Sequence, residues 1–234
     1  YYTLGKIAQQ RQAILEALKK EGLLEKNKKL SLPWAPLNVG LVTSYNSAAY
    51  HDFLKELAES RYGFQVLHID ARMQGQQVEQ DICRAIELLN QQPMDVIVII
   101  RGGGSRSDMA WFDNLKIARA IAHSGLPVFT GLGHEIDLSV SDLAAHTYQK
   151  TPTAAARYLT ELVKNYLEKL DRHGSEIVER SIFLIRQGDR QLNELEKELI
   201  RSGRGLVGEA RQVLQNAAWR TRQSHNRLIR QILL

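Results

Sequence analysis

Apolar positions fall at two different spacings along the chain, and the change between them marks its elements. Over residues 4–21, Leu4, Ile7, Ala8, Ile14, Leu15 and Leu18 keep helical spacing, which predicts a helix that Gly22 ends. A lysine-rich stretch and Pro33-Trp34-Ala35-Pro36 follow, and two prolines so close together do not continue a helix. The pattern then changes to short apolar runs alternating with helical stretches. Val39-Gly40-Leu41-Val42-Thr43 predicts a strand followed by a helix over residues 48–61; residues 64–69 predict a second strand and 78–90 its helix. The nearly all β-branched run at 95–100 is a third strand, followed by a glycine loop and a helix over 111–124, and Pro127-Val128-Phe129-Thr130 is a shorter fourth. Strands that are apolar throughout and alternate with helices belong to a parallel sheet covered on both faces. The expected class is α/β: residues 1–37 form an N-terminal helix and linker, and 38–150 a small doubly wound, mainly parallel sheet with flanking helices. Residues 151–234 form a long helical, coiled-coil-like extension.

In that last region the strand signal disappears. Leu159, Leu162, Val163, Tyr166, Leu167 and Leu170 keep three- and four-residue spacing, which continues through Ile177, Leu184, Leu192, Leu195 and Leu199. Gly174, Gly188, Gly203, Gly205 and Gly208 interrupt the pattern, so spacing alone does not establish one unbroken rod. A polar, mildly striped helix draws its stability from packing, so a second copy, another segment or a partner chain is expected against it. Charge adds to this. The net charge is +5, and residues 201–234 carry seven arginines, no lysine and a single acid, Glu209. Such asymmetry points to a polyanion or an acidic partner, the plain alternative being a solvated helix face.

Composition excludes some classes. One cysteine, Cys83, leaves no disulfide scaffold and no cysteine metal site, and a cytoplasmic, reducing location is expected. No run approaches the ~18 apolar residues of a membrane span, so no membrane partner is expected. The start, Tyr1-Tyr2-Thr3-Leu4, has no basic and apolar leader pattern, and without an initiator Met it reads as cut from something longer.

Candidate chemistry sits where strands end, and ligands of such sheets bind beyond the carboxyl ends of the strands. Arg101-Gly102-Gly103-Gly104-Ser105 follows the third strand: glycines let backbone amides turn toward an anion, and an arginine matches phosphate oxygens. It is neither a Walker A nor a GxGxxG sequence. Gly131-Leu132-Gly133-His134-Glu135-Ile136-Asp137, with Asp142 beyond, follows the fourth strand. His134 is the natural proton carrier there, and Asp137 lies one helical turn away if the segment is helical. Acids beside a histidine leave a divalent metal open, although this is not HExxH and no second histidine has ligand spacing. After the first strand, Ser44, Asn46 and Ser47 are placed to cap the next helix or bind phosphate at its N-terminus, and Asp52 lies just inside. Trp34, Trp111 and Trp219 read as packing residues rather than base-stacking platforms. The rim so assembled suits phosphodiester hydrolysis: donors for charge building on phosphorus and a proton for the leaving oxygen. It equally suits a nucleotide- or phosphate-binding domain that does no chemistry, and a third reading makes the α/β domain a scaffold for the helical tail.

In combination these motifs resemble the large subunit of bacterial exodeoxyribonuclease VII. The matching residues are Val42-Thr43-Ser44, Ala48-Ala49, His51-Asp52, the Arg101–Ser105 loop with Asp108 and Trp111-Phe112, Gly133-His134-Glu135-Ile136-Asp137 with Asp142, and Thr151-Pro152-Thr153-Ala154-Ala155-Ala156. The resemblance implies exonucleolytic hydrolysis of single-stranded DNA to short oligonucleotides, with no cofactor required and no metal expected. It implies a hetero-oligomer with a small helical subunit. It also implies that this chain is the catalytic core plus part of the coiled-coil region, since no OB-like β segment precedes residue 38. By motif match, Asp52, Arg101, His134 and Asp137 fall on catalytic positions, with Ser44, Gly102, Gly103, Gly104 and Ser105 about the phosphate. Departures follow the second motif, where His146, Tyr148 and Lys150 replace the aspartate, arginine and proline usual in the family.

Overall fold

A computed structural model describes residues 2–103, 109–133 and 138–232 of the chain. The apolar runs form one five-stranded parallel sheet from β1 (Asn38–Thr43), β2 (Gln65–Asp70), β3 (Val96–Ile100), β4 (Val128–Gly131) and β5 (Thr147–Tyr148), in the order β2-β1-β3-β4-β5. Val42 lies in register with Ile69 on one side and Ile99 on the other, and Ile100 with Gly131, which aligns the carboxyl ends of the central strands. β1, β3 and β4 are buried along nearly their whole length, whereas β2 is an edge and is largely accessible.

Alternation along the strands divides the core into two layers. Val39, Leu41, Val96, Val98, Ile100 and Phe129 pack with α2 (Ala48–Ser60) and the first turns of the last helix, through Phe53, Leu57, Ala155, Ala156 and Leu159. On the other face, Val42, Ile97, Ile99 and Val128 meet α1 (Tyr2–Lys20), α3 (Val78–Asn90), α4 (Leu115–His123) and the short α5 (Val140–Ala144), through Leu18, Ile82, Leu89, Ile117, Ile121 and Val140. The sequence-predicted strands and the first four helices thus appear within a few residues of their expected bounds. The segment predicted as one helix over 111–124 is divided: a 3-10 turn at Ala110–Phe112 precedes α4, because Asn114 caps α4 by accepting from Lys116 N and Ile117 N. β5 and α5 carried too few residues to leave a periodic signal.

Gly22 ends α1 as expected. At φ +67° it allows Leu23 N to donate to Leu18 O at 2.9 Å and Gly22 N to Lys19 O at 3.0 Å, a Schellman closure that buries Leu18 and Leu23 together. The linker is fixed by Asn27, which is fully buried: its Nδ2 donates to Ile121 O and Leu126 O, and its Oδ1 accepts from Val128 N at the start of β4.

Helix α6 (Pro152–Ile232) runs through Gly174, Gly188, Gly203, Gly205 and Gly208 without a break. Interior glycine costs up to about 1 kcal/mol relative to alanine but removes no backbone hydrogen bond, and the helix holds no proline after Pro152. Contacts divide the chain into two compact units, Tyr1–Leu170 and Asp171–Leu234. Within the second, Ile177, Leu184, Leu192, Leu199, Leu206 and Val213 recur at heptad intervals, with one longer step at Leu192, and all are exposed. Among the described residues, no helix is long and apolar enough to cross a membrane.

Candidate functional site

The strand order reverses direction between β1 and β3, and the crevice beyond the carboxyl ends at such a reversal is where ligands of open α/β sheets bind. The described ends of three connections lie at these carboxyl ends: β1 to α2, β3 to α4, and β4 to α5.

The first is a tight turn. Asn46 takes φ +57°, a conformation asparagine tolerates better than most residues, and its Oδ1 accepts from His51 Nε2 at 2.6 Å. Of the three residues expected to cap α2 or hold phosphate, Ser47 is the cap, its Oγ accepting from Tyr50 N at 3.2 Å. Ser44 Oγ donates to Ala71 O at 3.0 Å, so it must release that carbonyl before it donates to a ligand. Thr43 Oγ1, at the end of β1, is buried with no hydrogen-bond partner among the described residues.

The glycine loop lies against this turn. A Cβ on Gly102 would stand 3.8 Å from Ala49 N and 3.7 Å from Ala49 Cβ, so the loop backbone abuts the first turn of α2, where helix amides lack intrahelical acceptors. Arg101 is 5% exposed, and its backbone N donates to Gly131 O at 3.2 Å. Gly104 and Ser105 lie outside the described residues, as do His134, Glu135 and Asp137.

Both ends of the second motif are nevertheless held. Before it, Gly131 is clamped: a Cβ there would stand 3.1 Å from both Ile100 Cγ2 and Thr151 O, and 3.3 Å from Ala155 Cβ. Gly133 takes φ +78°. After it, Arg11 on α1 donates to Leu138 O and faces Asp113 at 3.7 Å, while Asp113 accepts from Val140 N at 2.8 Å. His134 therefore follows directly on a backbone fixed by the start of α6.

Asp142 belongs to the scaffold. It is buried, accepts from Thr130 Oγ1 at 2.6 Å and from Ser139 N and Oγ at 2.9 and 2.7 Å, and closes a capping box at the start of α5. Both of its oxygens thus accept hydrogen bonds from the fold itself. Among the described residues, no three His, Cys, Asp or Glu side chains cluster as a metal site.

Asp52 is exposed on α2. One turn on, Glu56 pairs with Arg157 of α6 at 2.7 Å, so Asp52 lies on the α2 face next to α6, whose preceding residues pack on Gly131 and Gly133. His146, replacing the usual aspartate, is structural: Nε2 faces Leu30 O at 3.2 Å and Nδ1 faces Thr147 Oγ1 at 2.9 Å. A carbonyl only accepts, so Nε2 carries the proton and the neutral ring takes the threonine proton on Nδ1. Burial pushes its pKa down from the ordinary histidine value, against a smaller opposing effect of the Leu30 hydrogen bond. Tyr148 is half exposed at the sheet's far edge. Of the tryptophans expected to pack, Trp34 and Trp219 are largely exposed, although Trp34 rests on Tyr166 at 6.0 Å with Lys169 over its ring.

Comparison with known proteins gives the family. A family profile described as "Exonuclease VII, large subunit" matches residues 23–232. An exodeoxyribonuclease 7 large subunit of a Cyanothece species is 32% identical over 241 residues, covering 98% of this chain and 57% of its own length. The corresponding subunit of Syntrophotalea carbinolica is 40% identical over 161 residues, covering 68% of this chain and 39% of that protein. The chain thus spans about half the length of the curated relatives it matches. A lysine decarboxylase of Francisella novicida, a solved structure, overlays 58% of the chain and 18% of its own at a TM-score of 0.33 and 14% identity, too loosely to bear on the fold. With nine-tenths of its residues inside the family profile, the chain belongs to the exonuclease VII large subunit family.

Proposed function

We propose that this chain is the catalytic core and part of the helical region of a cytoplasmic enzyme that hydrolyses phosphodiester bonds in single-stranded DNA exonucleolytically, releasing short oligonucleotides. The observation that carries the reading is the convergence of the Arg101 glycine loop on the N-terminus of α2 at the sheet's reversal point. Amides of Gly102, Gly103 and Gly104 with Ser105 and Ser44 hold the scissile phosphate, and Arg101 with those amides meets the charge that builds on its oxygens. Water attacks phosphorus, the ester oxygen leaves, and His134 delivers or removes the proton; Asp137 and Asp52 orient the histidine or the water. No metal is required for this scheme. The exposed heptad stripe of α6 calls for a helical partner, and the small subunit of the same enzyme is the proposed one.

The test uses a full-length large subunit carrying this core, co-expressed with its small subunit. End-labelled single-stranded DNA is hydrolysed in excess EDTA by the wild type, and His134→Ala lowers the rate by about 10²–10⁴-fold. Hydrolysis only after magnesium is added overturns metal independence. Unaltered turnover by His134→Ala removes the proposed proton carrier, and tight strand binding with no turnover at all would favour a phosphate-binding domain.

A further inference from the structure

Tyr45 stands beside this site without belonging to it. Its ring is 68% exposed, an unusual placement for an aromatic side chain held as firmly as this one. Its backbone N donates to Asp70 Oδ1 at 2.7 Å, which ties the β1–α2 turn to the end of β2. Its ring centroid lies 5.8 Å from that of His68 and 5.6 Å from that of Tyr50, and Tyr50 meets His68 edge-on at 4.9 Å. His68 is fixed in turn, its Nε2 facing Thr43 O at 2.9 Å; a carbonyl only accepts, so Nε2 is the protonated nitrogen. Three rings therefore back one another, and the outermost keeps most of its surface in water.

Ser44 immediately precedes this ring, and Ala49, which abuts Gly102, lies four residues after it. The contact with His68 puts the ring on the β2 side of the crevice between β1 and β3. Asp70 carries its carboxylate directly under the Tyr45 amide, which disfavours a phosphate at that spot and favours an uncharged planar group. A rigid, exposed aromatic face one residue from a phosphate site matches what an unpaired base requires: stacking that holds for any base because each has a π-face. Resting on the function proposed above, we propose that Tyr45, backed by His68 and Tyr50, is the stacking platform for an unpaired base next to the scissile phosphate. His68 and Tyr50 are positioning residues that keep the ring in place.

The full-length large subunit with its small subunit is assayed on end-labelled oligodeoxythymidylate. Tyr45→Ala raises KM about five- to hundred-fold with a much smaller change in kcat, and Tyr45→Phe restores the wild-type KM, since stacking needs the ring and not the hydroxyl. A second readout places a single abasic nucleotide at successive positions of the strand and measures binding. Wild type loses affinity when the abasic position meets the platform, and Tyr45→Ala loses no more there. If wild type hydrolyses DNA and Tyr45→Ala keeps its KM, the platform is overturned while the nuclease reading stands. If wild type does not hydrolyse DNA, the nuclease reading fails, and the abasic series still decides the platform: equal sensitivity in both proteins overturns it. Loss of small-subunit association in Tyr45→Ala also overturns it, making the ring a protein contact.

Discussion

His146, Asn27 and Asp142 hold polar atoms inside the fold, the first two through partners about a hundred positions away and Asp142 through Ser139 and Thr130 nearby. For His146 this has a consequence with a definite sign. Burial lowers its folded pKa below that of the unfolded chain, so between the two values the unfolded state binds more protons. Its contribution to stability is complete above the unfolded histidine pKa of about 6.5 and is lost as pH falls through that value toward the lower folded one. Urea unfolding at pH 7 and pH 5 should therefore show wild type losing more stability than His146→Gln across that interval; an equal loss in both would contradict the burial argument. Asn27 serves one donor and two acceptors near residues 121–128, and removing it strands all three, which is expected to cost about 2–4 kcal/mol in the same measurement on Asn27→Ala. Neither role was legible in the sequence, because a polar residue in a loop carries no period and its partners lie about a hundred positions away. Asp142 was legible as an acid near His134 in a segment that could equally cap a helix, and the sequence did not choose, since capping and metal binding call for the same side chain. Tyr45 passed unnoticed because aromatic residues signal exposure only once the fold is known.

At the level of elements, the strands and most helices were legible because long apolar runs and helical spacing leave signals that burial then honours. α6 was legible as helix but not as unbroken, because glycine lowers helix propensity without removing a hydrogen bond, and only Pro152, at its start, lacks an amide. Two other glycines separate stability from function. Gly40 on β1 faces α3, and a Cβ there would meet only the buried Leu89 side chain, at 2.8 Å from Cδ2 and 2.9 Å from Cδ1, so the strain falls on core packing and not on backbone. Gly131 faces backbone, Thr151 O at 3.1 Å, as well as Ile100, so the end of β4 must shift and carry the backbone leading to His134 with it. Each alanine substitution is expected to cost about 1–3 kcal/mol. Assayed well below both unfolding temperatures, Gly40→Ala should keep near-wild-type turnover, while Gly131→Ala should lose at least about tenfold. Equal turnover in the two would show that the clamp on Gly131 does not position the catalytic loop.

Taken as a whole molecule, the chain places its chemistry and its charge excess in different stretches of sequence. The candidate site's residues fall at strand ends between residues 43 and 137 of the sequence, whereas the excess of arginine over acid lies between residues 201 and 234. Arg201, Arg204, Arg211, Arg220 and Arg222 sit on exposed positions of α6 and make no salt bridge among the described residues. Charge of this kind acts on a polyanion by releasing its counterions, so its signature is a linear fall of log affinity with log salt at roughly 0.7 per phosphate neutralised on a single strand. If these arginines track the DNA, replacing Arg201, Arg204 and Arg211 with glutamine should reduce that slope by about 2 for oligodeoxythymidylate bound to the complete enzyme. Tyr45→Ala, by contrast, should weaken binding at every salt concentration and leave the slope alone, because an uncharged ring releases no ions. A slope unchanged by the three glutamines would assign the basic run to an acidic protein surface. In that case the same variant should bind the small subunit more weakly than wild type at low salt, with the difference shrinking as salt rises.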